Sequence, residues 1–222
     1  MPKTAAVLFD LDGTLLDRAA ALAAFLDDQF QRFSQDLGDV TQETWRARFI
    51  ALDERGYVHK SIVYPAILAA FGGRPETSEA LLSDYRERSS LFPRPFPGMV
   101  ETLKALRARG LKLAIVTNGE AVFQSRNIAA LGLIGLVDEI LISEKEGLRK
   151  PDAALFHRAA ERLNVAPAKC VFVGDNPSAD VLGAHAAGMR ALWFSQGDAW
   201  PEAASQPGPT IRQLPDVLAH VG

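Results

Sequence analysis

Two patterns of apolar and polar positions divide this chain. Residues 5–9 form a short apolar run rich in β-forming residues, which predicts a buried strand followed by a turn at Gly13. Residues 18–88 instead repeat apolar positions at helical spacing, with glycines between the repeats. The predicted helices span 19–37, 41–55, 59–71 and 76–88. We predict no strand in this region.

The segment 93–98, Pro-Arg-Pro-Phe-Pro-Gly, separates this helical region from the remainder of the chain, because alternating prolines disfavour helix and favour an extended connector. Strands and helices then alternate. The predicted strands span 111–116, 139–142, 170–173 and 190–194. The predicted helices span 100–109, 121–131, 152–163 and 178–187, and a short strand at Thr210 and a helix over 215–220 end the chain.

Repeated strand–helix units with nearly continuous apolar strands predict an α/β fold with a parallel sheet and helices on both faces. Because the first strand must join this sheet, the helical region is an insertion. We therefore predict a core domain over 1–16 and 93–222 and a helical domain over 17–92.

Composition narrows the possible partners and location. The 222 residues are 48% hydrophobic, which suffices for a full core in one or two domains. A net charge of −3 argues against a nucleic acid polymer as partner. Cys170 is the only cysteine, so no intramolecular disulfide is expected. We see no signal peptide and no apolar run that would span a membrane, so we expect a cytoplasmic protein that does not bind membranes, of open oligomeric state.

Two carboxylates, Asp10 and Asp12, directly follow the first predicted strand. The carboxyl edge of a parallel sheet is where ligands bind in open α/β folds. At this spacing both side chains start on the same side of an extended backbone, and two clustered acids repel each other unless a cation is present. The alternative is that Asp-Gly only marks a tight turn and that Asp10 caps a helix.

Polar residues also follow the later strands. Thr117 and Asn118 lie before a predicted helix, where hydroxyl and amide groups favour anions, although they could be ordinary helix caps. Lys150 precedes Pro151 near the start of another helix, where a cation opposes the helix dipole. This placement indicates that Lys150 balances nearby negative charge. The alternative is a solvated surface lysine beside Arg149.

Asp175 and Asp180 follow the strand 170–173, where a helix-capping role is also reasonable. Three carboxylates at one sheet edge, from Asp10, Asp12 and Asp175, would need a hard cation bound by their oxygens. We predict Mg²⁺, because it accepts a few carboxylates together with water and phosphate oxygens.

These motifs carry a family resemblance. Asp-Leu-Asp-Gly-Thr, Thr-Asn-Gly, Arg-Lys-Pro and Gly-Asp followed five residues later by Asp occur in this order, each near a predicted strand end. Over residues 5–194 the chain resembles the haloacid dehalogenase-like hydrolase superfamily, in its phosphatase branch with a helical cap inserted after the first strand. The resemblance implies a three-layer Rossmann-like parallel-sheet core with an inserted all-helical cap domain.

The same resemblance implies roles for individual residues. Asp10 would attack phosphorus, and Asp12 would act as general acid and base. Thr117, the amide of Asn118 and Lys150 would hold the phosphoryl oxygens. We therefore expect a phosphatase that hydrolyses a small phosphorylated metabolite, such as a nucleotide or sugar phosphate, through an aspartyl phosphate.

A metal site is implied as well. Asp10, the main-chain carbonyl of Asp12 and Asp175 would hold Mg²⁺, with Asp180 as a further ligand or a supporting neighbour. Substrate choice would depend on the helical insertion, although charges on amphipathic helices are usually solvated. Its polar candidates are Arg18, Arg46, Arg48, Tyr57, His59 and Lys60.

Three other functions remain open. A haloacid dehalogenase is disfavoured by Asp12, because that branch lacks a carboxylate two residues after the nucleophile and needs no metal. A phosphomutase would share the whole core. A phospho-accepting signalling receiver also gathers aspartates, a threonine and a lysine at a sheet edge, but such modules are shorter and lack the helical insertion.

Overall fold

The computed structural model describes residues 2–201 and 205–222. Its centre is a six-stranded sheet in the order β3-β2-β1-β4-β5-β6, and every strand pairing within the described residues is parallel. The strands are β1 (Ala6–Phe9), β2 (Lys112–Thr117), β3 (Glu139–Ile142), β4 (Cys170–Gly174), β5 (Arg190–Phe194) and β6 (Thr210–Ile211). The predicted α/β fold with a Rossmann-like parallel sheet is confirmed.

The register brings the strand ends together. Phe9, the last residue of β1, pairs with Ile115 of β2 and with Val173 of β4. All four residues of β1 are fully buried, as their apolar sequence requires. The loops after β1, β2 and β4 therefore leave the sheet at the same carboxyl edge.

The α-helices are α1 (Arg18–Phe33), α2 (Gln42–Asp53), α3 (Lys60–Phe71), α4 (Thr77–Arg88), α5 (Met99–Ala108), α6 (Ala121–Ala130), α7 (Ser143–Glu146), α8 (Ala153–Arg162) and α9 (Gly183–Ala186). Most begin and end within two residues of the prediction. The first predicted helix is too long, since α1 ends at Phe33 and a 3-10 turn follows. The short helix α7 was not predicted.

The last predicted core helix, 178–187, is also different in the structure. A π-helical turn over Pro177–Leu182 comes first, and α9 follows it. Such turns are often found at functional sites, because they redirect a side chain that a regular helix would place elsewhere. The terminal helix predicted over 215–220 is a 3-10 helix, Leu214–Ala219.

The chain divides into two compact units, residues 1–18 with 93–222 and residues 19–92. In the second unit α1 to α4 enclose their own apolar cluster. That cluster is formed by Leu22, Phe25, Leu26, Leu37, Trp45, Phe49, Val63, Tyr64, Ile67, Leu68 and Leu81. This enclosed cluster accounts for the helical apolar spacing of the insertion, since each helix buries one stripe of side chains.

In the first unit, α8 covers one face of the sheet. Leu155, Phe156 and Ala159 of α8 are fully buried, and the ring of Phe156 meets that of Phe172 edge to face at 5.0 Å. This close packing of α8 on the sheet holds the strands in place, and the candidate site residues follow the ends of those strands. Within the described residues, no helix combines the length and the apolar character needed to cross a membrane.

Candidate active site

Asp10 lies at the end of β1, with its side chain buried against other ionisable groups. Its main-chain amide continues the sheet by donating to the carbonyl of Val173 at 2.9 Å. Its Oδ1 lies 2.5 Å from Lys150 Nζ, and its Oδ2 accepts from Thr14 Oγ1 at 3.4 Å. Asp10 is not a helix cap, because the next helix begins only at Arg18. The carboxylate is therefore fixed in place at the sheet edge.

Lys150 is a buried cation that links two carboxylates. It is only 4% exposed, and its Nζ lies 2.5 Å from Asp10 Oδ1 and 2.7 Å from Asp180 Oδ1. Burial by itself would lower the pKa of Lys150, but the charges of Asp10 and Asp180 outweigh it and raise that pKa. The solvated-lysine alternative is wrong for Lys150, whereas the adjacent Arg149 is exposed.

Three carboxylates converge around this lysine. Asp10, Asp175 and Asp180 each offer one oxygen, and these oxygens lie within 4.8 Å of one another. Burial, with added repulsion from Asp180 and Asp175, raises the pKa of Asp10 well above its usual value despite Lys150. Burial and then the charge of Asp180 raise the pKa of Asp175 to about 7. One lysine does not balance three carboxylates, so oxygen donors in this arrangement fit a divalent cation.

Close backbone approach makes this cluster possible. Gly13 has φ +84°, and a Cβ there would lie 2.4 Å from Asp175 Oδ2. A Cβ on Gly174 would likewise lie 2.4 Å from the carboxylate of Asp180. The indole of Trp193 donates to the carbonyl of Asp175 at 2.8 Å. The two glycines thus leave room for the carboxylates of Asp175 and Asp180, and Trp193 holds the main chain at Asp175.

The main chain around Lys150 is held by Asn118. Its Nδ2 donates to the carbonyl of Lys150 at 3.0 Å, and its Oδ1 accepts from the amide of Lys150 at 2.9 Å. Thr117 ends β2 and is 1% exposed. It is not the N-cap of α6, because that position belongs to Glu120. The structure thus brings Thr117, Asn118 and Lys150 to one edge with Asp10.

Asp12 has a partner that the sequence did not suggest. Its Oδ2 accepts from Gln124 Nε2 at 2.5 Å, and the same nitrogen donates to Thr117 Oγ1 at 2.9 Å. Thr14 and Trp193 were also missed. The sequence did contain a signal for Gln124. It lies four residues before Ile128 on the buried side of α6, and a buried amide needs a polar partner.

In the insertion, three of the polar candidates have partners within that unit. Lys60 is 7% exposed and forms a very short ion pair with Asp53. Arg46 pairs with Asp27 at 2.7 Å, and His59 caps α3 by accepting from the amide of Ser61. Tyr57 is 75% exposed.

Several known proteins resemble this chain in sequence or in structure. A glyceraldehyde 3-phosphate phosphatase of Methanopyrus kandleri is 33% identical over 86% of this chain and 84% of that protein. A phosphoserine phosphatase of Thermus thermophilus is 31% identical over 90% and 82%. A 2-haloacid dehalogenase of Pseudomonas syringae is 32% identical, with a TM-score of 0.64 over 99% and 100% of the two chains.

The fold itself matches a putative hydrolase of Bacillus subtilis bound to magnesium, with a TM-score of 0.81 and 24% identity over the full length of both chains. A family model described as haloacid dehalogenase-like hydrolase matches residues 4–188, which include every site residue described above except Trp193. The chain therefore belongs to the haloacid dehalogenase-like hydrolase family.

Proposed function

We propose that this enzyme is a magnesium-dependent phosphatase that hydrolyses a small phosphomonoester through an aspartyl phosphate on Asp10. The observation that carries the proposal is the joint placement of Asp10, Lys150 and the acids after β4 at one sheet edge, with a second carboxylate at Asp12. The two phosphatase relatives that cover most of this chain support the same class of reaction.

In the first step, a carboxylate oxygen of Asp10 forms a bond to phosphorus while the bond from phosphorus to the leaving oxygen breaks. Asp12 gives its proton to that leaving oxygen, so an alcohol departs. In the second step, Asp12 takes a proton from water, and the water oxygen attacks phosphorus. The bond between Asp10 and phosphorus breaks, which releases inorganic phosphate and restores both carboxyl groups.

Lys150 and Thr117 bind the phosphoryl oxygens in this proposal, and the main-chain amide of Asn118 donates to them. A buried cation at 2.5 Å from the nucleophile lowers the energy of negative charge on the phosphoryl group as the bonds exchange. Asn118 has a second role, because its side chain holds the main chain of Lys150 in place.

Asp10, Asp175 and the main-chain carbonyl of Asp12 would hold the metal, with Asp180 beside them. Mg²⁺ supplies charge neutralisation between the acidic nucleophile and an anionic substrate. Three clustered carboxylates around a single lysine are the donor set that supports this assignment. Asp180 also holds Lys150 in place by its 2.7 Å ion pair.

Dehalogenation is the second candidate, because a 2-haloacid dehalogenase is 32% identical to this chain over nearly its full length. Asp12 favours the phosphatase, since protonation of an alkoxide leaving group calls for an acid next to the nucleophile, whereas a halide leaves without a proton. Release of chloride from a 2-chloro acid by the metal-free protein, with no phosphate release, would contradict the proposal.

The test measures phosphate release from p-nitrophenyl phosphate with Mg²⁺ and again with excess EDTA. Phosphoserine, phosphoglycolate, glyceraldehyde 3-phosphate, sugar phosphates and nucleoside monophosphates are then assayed as a panel. We predict that Asp10→Asn abolishes turnover and keeps the circular dichroism spectrum of the wild type. Asp152→Asn is the matched control, because Asp152 is an exposed N-cap and asparagine caps equally well. Normal turnover by Asp10→Asn would refute the assignment.

A further inference from the structure

The side chain of Gln124 is a buried amide that reaches two residues of the proposed reaction at once. It is 2% exposed and lies in the first turn of α6. Its Nε2 lies 2.5 Å from Asp12 Oδ2, 2.9 Å from Thr117 Oγ1 and 3.0 Å from the carbonyl oxygen of Asn118. One nitrogen thus connects the loop after β1 with the loop after β2.

The orientation of this amide is set by Asp12. Asp12 as a carboxylate only accepts hydrogen bonds, so the amide must present its nitrogen to that side. The other end, Oε1, then faces Asn127, whose Nδ2 donates to it at 3.3 Å. Space for the amide exists because Gly119 lacks a Cβ, which would lie 2.9 Å from Gln124 Cγ.

We propose that Gln124 is a positioning residue that holds the Asp12 carboxyl group and the Thr117 hydroxyl group in their working orientation. This inference rests on the proposed function, in which Asp12 transfers protons and Thr117 binds the phosphoryl group. The hydroxyl oxygen of Thr117 accepts from Gln124 at 2.9 Å, and its own hydrogen makes only a long contact, 3.4 Å, with the carbonyl of Asn118, which a phosphoryl oxygen can replace. The amide therefore couples the acid–base group to the group that binds phosphate.

This role predicts unequal effects on two kinds of ester. An alkyl phosphate needs a proton on its leaving oxygen, whereas p-nitrophenolate leaves without one. Both substrates share the second step, which needs Asp12 as a base. Loss of Gln124 thus slows both steps for an alkyl ester. For p-nitrophenyl phosphate the first step loses only the support of Thr117, so the second step is slowed more than the first and the aspartyl phosphate accumulates.

The experiment compares Gln124→Met with the wild type in the presence of Mg²⁺. Methionine keeps the length of the side chain and removes its donors. The alkyl ester is whichever of phosphoserine, phosphoglycolate and glyceraldehyde 3-phosphate the wild type hydrolyses fastest. We expect kcat for it to fall about ten- to hundredfold, as misplacement of a catalytic group does elsewhere. With p-nitrophenyl phosphate we expect a larger burst of nitrophenol than in the wild type and more phosphoenzyme after acid quench, measured by intact mass.

Two further variants separate positioning from structural support. Asn127→Leu removes a buried amide from the same helix, on the Oε1 side of Gln124, and we expect neither a larger burst nor a selective loss on the alkyl ester. Gln124→Glu keeps an acceptor for Asn127 but has no donor for Asp12. We expect it to show the same kinetic changes as Gln124→Met, so it serves as the test variant if Gln124→Met does not fold. Two results would overturn the positioning role. One is an equal fall in kcat on both substrates without extra phosphoenzyme, and the other is normal kinetics in both Gln124 variants. Failure of the wild type to release phosphate from any ester would overturn the proposed function as well.

Discussion

Removal of the buried cation Lys150 should cost the free protein a large part of its stability. The side chain of Lys150 is 3% exposed, and the side chains of its partners Asp10 and Asp180 are 8% and 1% exposed. Lys150→Met keeps much of the side-chain volume but leaves two buried carboxylates without the cation that both contact. Breaking a buried ion pair by removing one partner costs about 3–5 kcal/mol, so we expect the free energy of unfolding to fall by about that amount.

The measurement is urea unfolding of wild type and variant in EDTA, followed by circular dichroism. Arg149→Met is the control, because Arg149 is adjacent in sequence but exposed, and we expect a change within about 0.5 kcal/mol. Adding Asp10→Asn to Lys150→Met should restore part of the loss, since it removes one of the uncompensated charges. Mg²⁺ should also restore stability if it binds the same carboxylates, by mass action on the folded state.

A fall of less than about 1 kcal/mol for Lys150→Met would place its effect in the range of an exposed ion pair. Such a result, or equal effects of Lys150→Met and Arg149→Met, would show that Lys150 is not needed to stabilise the buried carboxylates. The roles assigned to Lys150 in binding and charge compensation would then have no structural basis.

Three other changes test separate parts of the chain. Gly13→Ala should weaken Mg²⁺ binding, measured by calorimetry, at least about tenfold. The new Cβ would collide with the Asp175 carboxylate, and the positive φ at this position costs alanine about 1–2 kcal/mol. Unchanged affinity for Mg²⁺ would argue against Asp175 as a ligand. Lys60→Met should lower the free energy of unfolding by about 3 kcal/mol, because it breaks the buried ion pair with Asp53. Urea unfolding measures this change, and a value near zero would contradict the prediction. Cys170 in the folded protein should resist alkylation by iodoacetamide at mildly alkaline pH. The thiol is buried, and burial raises its pKa to about 11. Labelling as fast as in the urea-unfolded protein would contradict this prediction.

The alternation of strands and helices in the core could be predicted from the order of apolar and polar residues. The apolar run at 5–9 and the later runs ended within about two residues of the strands observed, because a strand buried on both faces needs apolar side chains at nearly every position. Since parallel strands share one carboxyl edge, the sequence also predicted that Asp10, Thr117 and Asp175 would lie at that edge.

Which side chains contact one another depends on how the chain folds. Lys150 is separated by 140 residues from Asp10 and Gln124 by 112 residues from Asp12, and no local pattern specifies such a contact. The π-helical turn that carries Asp180 toward Lys150 was predicted as ordinary helix, because helical spacing does not distinguish the two. Whether a charged side chain is buried or solvated depends on what packs over it. Lys150 and Arg149 are neighbours in sequence, yet only the folded chain places one of them in the interior.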